Sequence, residues 1–250
     1  MKHLTKSFLR MFQGALLLHV IWFVAALLVD KPLLPGPVTV YRSIGTVWEK
    51  GLALHLAYSM RRVSVALLIA FGIGISMALS MYRWPRFGRL MSSFVYFSYP
   101  IPKLALLPVV LLLLGMGETP KIVFIVLIIL FQIIIALRDS LRSIPEEHFT
   151  AVRSMGATYR QKIHYVIFPA ILPDALSALR VAIGTAISVL FVAETYGTRY
   201  GMGFYIVDSW MRVDYVAMYV AIVLLSLGGF LLFWLTDVVE TLVCRWNKDR

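Results

Sequence analysis

Two charges stand where an apolar chain can least accommodate them. Glu194 follows Leu190-Phe191-Val192-Ala193, and Lys103 stands between Pro102 and another apolar run. A charge at membrane depth faces protein or water rather than lipid. Glu194 therefore fits either an interfacial cap near Tyr196 or a gate. Lys103, with Tyr96 and Tyr99, fits the border of an aqueous path, or a kink absorbed by neighbouring helices. Ser188 lies on the same apolar run as Glu194 and joins the path candidates. Ser76 and Ser188 have no matching His and acid, so they do not suggest a hydrolase. His19 and His55 stand alone, and His148 and His164 share a polar stretch without metal-ligand spacing. No Gly-x-x-x-x-Gly-Lys-Ser/Thr run occurs, and no Gly is followed by Lys, so no loop cradles a nucleotide. The single cysteine, Cys244, excludes an internal disulfide and a thiolate cluster and reads as an inert thiol near a membrane surface. No bound cofactor or metal is expected on this chain, and catalysis is not supported.

The elements that must place these groups are membrane spans. The chain has 250 residues, 60% hydrophobic and only 15% charged, far from a soluble domain. Hydropathy predicts six spans, at 12–29, 57–81, 89–114, 119–137, 173–194 and 214–236. Lys2, Lys6 and Arg10 precede the first, and no small-residue cleavage site follows Val29, so it reads as an uncleaved span with a cytoplasmic N-terminus. With that orientation fourteen Lys and Arg fall in cytoplasmic segments and eight outside. Basic loops, not nucleic acid, then account for the net charge of +11. Arg61 and Arg62 start the second span, close enough to its outer end to snorkel. Pro100, Pro102 and Pro108 break the third. Gly72, Gly74, Gly228 and Gly229 are expected at close helix contacts. Loop 197–214 holds Gly201, Gly203 and several aromatics, and suits either an outer aromatic belt or re-entry into a cavity mouth.

The longest polar interruption, 143–169, reads as a cytoplasmic helix–turn–helix. Ser143 and Glu146 have capping-box spacing, and Pro145 suits a first turn. Phe149, Val152 and Met155 share one face, and Gly156 closes the helix. A second helix starts at Thr158, carries Ile163, Val166 and Ile167 inward, and stops at Pro169. Such a stripe packs either on its own bundle or against a partner.

The order Ala151, Gly156, Val166, Phe168, Pro169 resembles the EAA loop of ATP-binding-cassette (ABC) importer permeases, Glu-Ala-Ala-x3-Gly-x9-Ile-x-Leu-Pro. Thr150 stands at the Glu position, Ala151 and Val152 at the two Ala positions, and Val166 and Phe168 at Ile and Leu. Glu147, one turn earlier, offers a replacement acid. Arg153-Ser154-Met155-Gly156-Ala157 is similar to the Arg-Ser-Leu-Gly-Ala run of the nitrate/sulfonate/taurine branch. Leu34-Pro35-Gly36-Pro37, Tyr99 to Pro108, Ala193-Glu194 and Gly201-Met202-Gly203 extend the likeness in the same order.

The resemblance implies an all-α integral membrane protein with about six transmembrane helices, a type I importer permease fold and one domain over 1–250. It implies coupling to an ATPase through Glu147, Thr150, Ala151, Val152, Arg153, Met155, Gly156 and Ala157. The implied partners are a second permease copy, two ABC ATPase subunits that carry ATP and Mg, an extracytoplasmic solute-binding protein, and membrane lipid. The implied location is the bacterial cytoplasmic (inner) membrane, with both termini cytoplasmic. The implied cargo is a small organic anion such as a sulfonate, taurine or nitrate, or an aromatic or vitamin-precursor compound. An ion-driven secondary transporter would show paired intramembrane acids or inverted half-repeats, and the sequence has neither.

Overall fold

In the computed structural model, which describes residues 2–98, 100–244 and 246, every regular element is helical. Side-chain packing is described from Gln13 onward, so the expectations on Lys2, Lys6, Arg10, Tyr99 and the last basic residues lie outside it. In chain order the helices are α1 (Lys2–Val29), α2 (Pro37–Val47), α3 (Ala53–Arg83), α4 (Pro85–Ser98), α5 (Leu107–Leu114), α6 (Glu118–Ser143), α7 (Glu146–Ser154), α8 (Tyr159–Lys162), α9 (Phe168–Glu194), α10 (Met202–Met211) and α11 (Tyr215–Val243). Helices are the form in which an apolar chain satisfies its own backbone donors and acceptors away from water.

The centre is α6, packed between α3 and α9. Ile125, Ile129, Ile133 and Leu137 recur every fourth residue, and all four are fully buried. Gly74 sets the α3–α6 distance, because a Cβ there would lie 2.5 Å from Ile133 Cγ2. Gly228 and Gly229 likewise meet Met60 and Ile187, whereas Gly72, against expectation, faces open space. It sits on the outward side of α3, so its small size serves no contact within the chain.

Pro37–Arg83, Glu118–Ser143, Tyr159–Glu194 and Tyr215–Val243 are long and apolar enough to cross a membrane. Pro85–Ser98 and Lys103–Leu114 add a fifth crossing if the pair, bent by 90°, counts as one span. Its break falls where Pro100 and Pro102 remove backbone donors. The remaining expected span, the first, is the apolar part of α1, Gln13–Val29, which is shorter than those four.

Two junctions differ from the local signals. Pro169 does not stop a helix: α8 runs through a π-helical turn, Ile163–Ile167, straight into α9. Phe168 N–H bonds back five residues to Ile163 O, and that widened turn precedes the proline ring. Ser143 caps nothing, because α6 continues through it and its hydroxyl donates to Ser140 O at 2.8 Å. Ile144 then turns extended, and Pro145 takes the N-cap position of α7 rather than its first turn.

Cys244, just past α11, is buried, and burial pushes its thiol up from the ordinary range. A raised thiol holds little thiolate at neutral pH, and the thiolate is the reactive form. The native protein is expected to resist maleimide at pH 7 and to label fully after unfolding in dodecyl sulfate. Stoichiometric labelling of the folded protein would contradict this placement.

Candidate functional site

The charges and turns collect at the two ends of the bundle. At the first end, α3 and α6 end and α7 follows α6. Phe149, buried, stacks on Tyr82 of α3 with ring centroids 6.0 Å apart, and Val152 packs on the core. Glu146 and Glu147 occupy the first turn of α7, where acids meet the positive end of the helix dipole. Thr150 and Ser154 donate back along the helix, and Arg153 pairs at 3.5 Å with Glu146, not with Glu147.

The end of α7 is a closed C-cap. Gly156 N–H donates to Arg153 O at 3.0 Å, Ala157 N–H donates to Val152 O at 3.1 Å, and Gly156 has φ +73°. Those are the two bonds of a Schellman motif, with glycine at the left-handed position. Thr158 then opens α8 with a reciprocal capping box to Gln161. Of the expected coupling residues, Glu147, Thr150, Ala151, Arg153, Met155 and Gly156 are exposed, while Val152 and Ala157 are half-buried. Met155 departs from its expected inward face and is 84% exposed. It is the C-cap residue, so the chain has already left the helical repeat that aligns Phe149 with Val152. The result is a short helix fixed by one aromatic, presenting Met155 and Gly156 outward.

At the opposite end Glu194 is sealed. Its carboxylate is 0% exposed and meets Arg62, itself 1% exposed, at 2.5 Å. It also accepts from the Ser59 hydroxyl at 2.8 Å and from Gly203 N–H at 2.8 Å. Arg62 reaches Glu118 as well, through Nε at 2.8 Å, and Arg61 joins Glu118 at 2.9 Å. Lys121, buried beside them, donates to Gly117 O and Gly197 O. Arg62 therefore does not snorkel, because the buried Glu194 and the part-exposed Glu118 satisfy its fork better than solvent at a span end.

This network ties α3, α6 and α9 to the segment before α10. Met202 N–H donates to Ser59 Oγ at 2.8 Å, and Gly201 N–H to His55 Nδ1 at 3.1 Å. The glycines there serve contact: a Cβ on Gly201 would sit 2.5 Å from Glu194 Cδ, and one on Gly203 2.6 Å from Phe191 O. Helix α10 packs on α9 and α11, burying Met202 and Tyr205 while Trp210 stays exposed.

The other path candidates do not join Glu194. Tyr96 is exposed, Ser188 is exposed and donates to Gly184 O of its own helix, and Lys103 Nζ lies 5.1 Å from the Phe131 ring. Tyr99 lies outside the described residues. Arg62, Glu118, Ser59 and Lys121 were not singled out as site residues from the sequence. The available signal was that Arg62, Glu118 and Glu194 all stand at span ends of the same side.

Residues 70–243 match the family described as binding-protein-dependent transport system inner membrane component. The chain belongs to that family. It is 32% identical to the taurine transport system permease protein TauC of Escherichia coli (strain K12), over 94% of this chain and 88% of that one. It is 29% identical to the formylaminopyrimidine transport permease protein ThiX of Halalkalibacterium halodurans, over 94% of each. Among solved structures it superposes on the inward-facing MetNI methionine ABC transporter with TM-score 0.66 at 20% identity, covering 77% of this chain and 95% of that one. A bacterial alginate ABC transporter gives TM-score 0.66 at 15% identity, covering 96% of this chain and 99% of that one. The fold is that of a type I ABC importer permease, and the chain is an ABC-importer permease of the nitrate/sulfonate/taurine kind.

Proposed function

We propose that this permease, as one of two identical copies, forms the translocation path for a small organic anion released by an extracytoplasmic binding protein. Helix α7 docks in a groove on each of two ABC ATPase subunits, which carry the ATP and Mg. Closure of the ATPase pair draws the two α7 helices together. Phe149 on Tyr82 passes that displacement to α3, and the continuous α8–α9 helix passes it to the far end, where Arg62 and Glu194 join α3 to α9. A rigid-body rearrangement of this kind needs stiff elements between the two ends. The observation that carries the reading is the outward Met155–Gly156 turn on a helix pinned by Phe149. Arg83, Arg86, Arg89, Arg138, Arg142, Arg153, Arg160 and Lys162 stand at the α7 end, and together with the basic residues near the two chain ends they make the fourteen-to-eight excess that supports placing that end in the bacterial cytoplasm. The proposed location is the cytoplasmic membrane, with both chain termini on the cytoplasmic side.

Taurine is the first substrate to test, given the 32% identity to a taurine permease. The equally extensive match to a formylaminopyrimidine permease favours a second reading, an aromatic vitamin precursor. Vesicles reconstituted with this permease, a partner ABC ATPase and a taurine-binding protein are expected to take up labelled taurine with ATP, at least tenfold above vesicles lacking ATP. Uptake of formylaminopyrimidine in its place would select the second reading. ATP-independent uptake driven by a proton or sodium gradient would overturn both.

A further inference from the structure

We propose that a pocket of about 260 Å³ between α3, α4 and α6, at the α7 end, binds the phosphate of an anionic phospholipid. Gly88 lets α4 fold back against α3, since a Cβ there would lie 2.4 Å from Met81 O. That close approach lets Arg89 line one pocket with Arg138 and Arg142 of α6, together with Met81, Tyr82 and Leu141. The lining thus combines three guanidinium groups with apolar side chains, as a lipid combines a phosphate with acyl chains. Arg138 is half-buried and pairs with Asp139 at 2.8 Å. Arg89 and Arg142 make no ion pair among the described residues, so the pocket keeps an excess of positive charge.

The depth is right for a headgroup. α3 ends at Arg83 and α6 at Ser143, both at the end of a membrane-length helix, and the exposed Trp84 marks the interface between them. Basic pockets between spans at the cytoplasmic face are a recurring way to hold anionic headgroups. A free phosphate or sulfonate would use the arginines alone, whereas a lipid at this depth also covers the exposed Tyr82 and Trp84 beside them, which is why the lipid is the better occupant. Tyr82 lines the pocket and stacks on Phe149, so the bound lipid would touch the side chain that seats α7.

The test needs neither ATPase nor substrate, so its failure is separate from any failure of the transport reading. The purified full chain in mild detergent is titrated with phosphatidylglycerol or with phosphatidylcholine of the same acyl chains, and bound lipid is counted by native mass spectrometry. Phosphatidylglycerol is expected to bind on the order of tenfold more tightly, and Arg89→Gln with Arg142→Gln to erase that preference. Arg212→Gln, at the other end of the bundle, should leave it intact. If the double variant is not recovered, Arg142→Gln alone, exposed at a helix end, should lower the preference by about fivefold. Equal binding of the two lipids by the wild-type chain, or full preference in the arginine variants, overturns the proposal. Displacement of phosphatidylglycerol by millimolar inorganic phosphate would assign the pocket to a free anion and overturn it too.

Discussion

Arg62→Met is expected to lower the unfolding midpoint of the detergent-solubilised protein by on the order of 10 °C, from a loss of about 3–5 kcal/mol. The size follows from what the substitution leaves behind. Glu194 is fully enclosed, and Arg62 is its only ionic partner among the described residues. Removing the guanidinium leaves one buried carboxylate without a counter-charge and a second, Glu118, with only the exposed Arg61. Methionine nearly fills the same volume, so packing loss is small and electrostatics decides. Replacing both partners, Arg62→Met with Glu194→Met, should recover most of the stability, because no buried charge is then stranded. Glu118→Gln should cost less, since Glu118 is 37% exposed and water can reach its partner. A single Arg62→Met variant with an unchanged midpoint would mean that the network does not hold the far end together.

The second large effect is functional. Gly156→Val is expected to reduce ATP-dependent uptake at least tenfold while leaving the protein in the membrane at normal level. Gly156 has φ +73°, where a β-branched residue is strained by roughly 1–2 kcal/mol. No atom lies within 4 Å of a Cβ built there, so within this chain the damage is conformational, not a clash. Relief of the strain breaks the two backbone bonds that close α7 and moves Met155 away from its exposed position. The spans are set by apolar runs far from the loop and should insert as before. Gly156→Asn separates the causes, because asparagine tolerates the left-handed conformation. Normal uptake by the Asn variant assigns the loss to backbone geometry. Loss in both assigns it to a partner surface that needs the bare glycine. Normal uptake by the Val variant removes the coupling role from this turn.

What could be read in the sequence was what local patterns dictate. α6 and α11 follow from unbroken apolar runs, the break before α5 from Pro100 and Pro102, and the α7 end from Gly156. The start of α8 at Thr158 was legible because its cap partner, Gln161, is three residues away. Arg62 was not legible for the converse reason. Its partners lie 56 and 132 residues along the chain, and beside a span end a lone arginine looks solvated. Pro169 and Ser143 carried correct local signals that the longer helices overrode, one by a widened turn and the other by α6 running on. Loop 197–214 left two readings open, an outer aromatic belt and re-entry into a cavity mouth, because glycines and aromatics suit both. The close approach of Gly201 and Gly203 to Glu194 and Phe191 involves partners distant in local pattern, so it was not legible.

The central claim is that α7 and its closing turn seat the ATPase. The direct measurement is disulfide cross-linking from Met155→Cys, in a chain where Cys244, the single cysteine, is replaced by serine. Met155 is exposed at the α7 end, and Met211→Cys, at a position also exposed but near the Arg62 end, serves as the counterpart. In membranes that also hold the ATPase, carrying cysteines along its groove, and the binding protein, with a cysteine on its docking face, the Met155→Cys chain is expected to cross-link to the ATPase and the Met211→Cys chain not to. ATP should change the yield at Met155 as the ATPase pair closes. A cross-link from Met155→Cys to the binding protein, or from Met211→Cys to the ATPase, would contradict the account and reverse the bundle in the membrane.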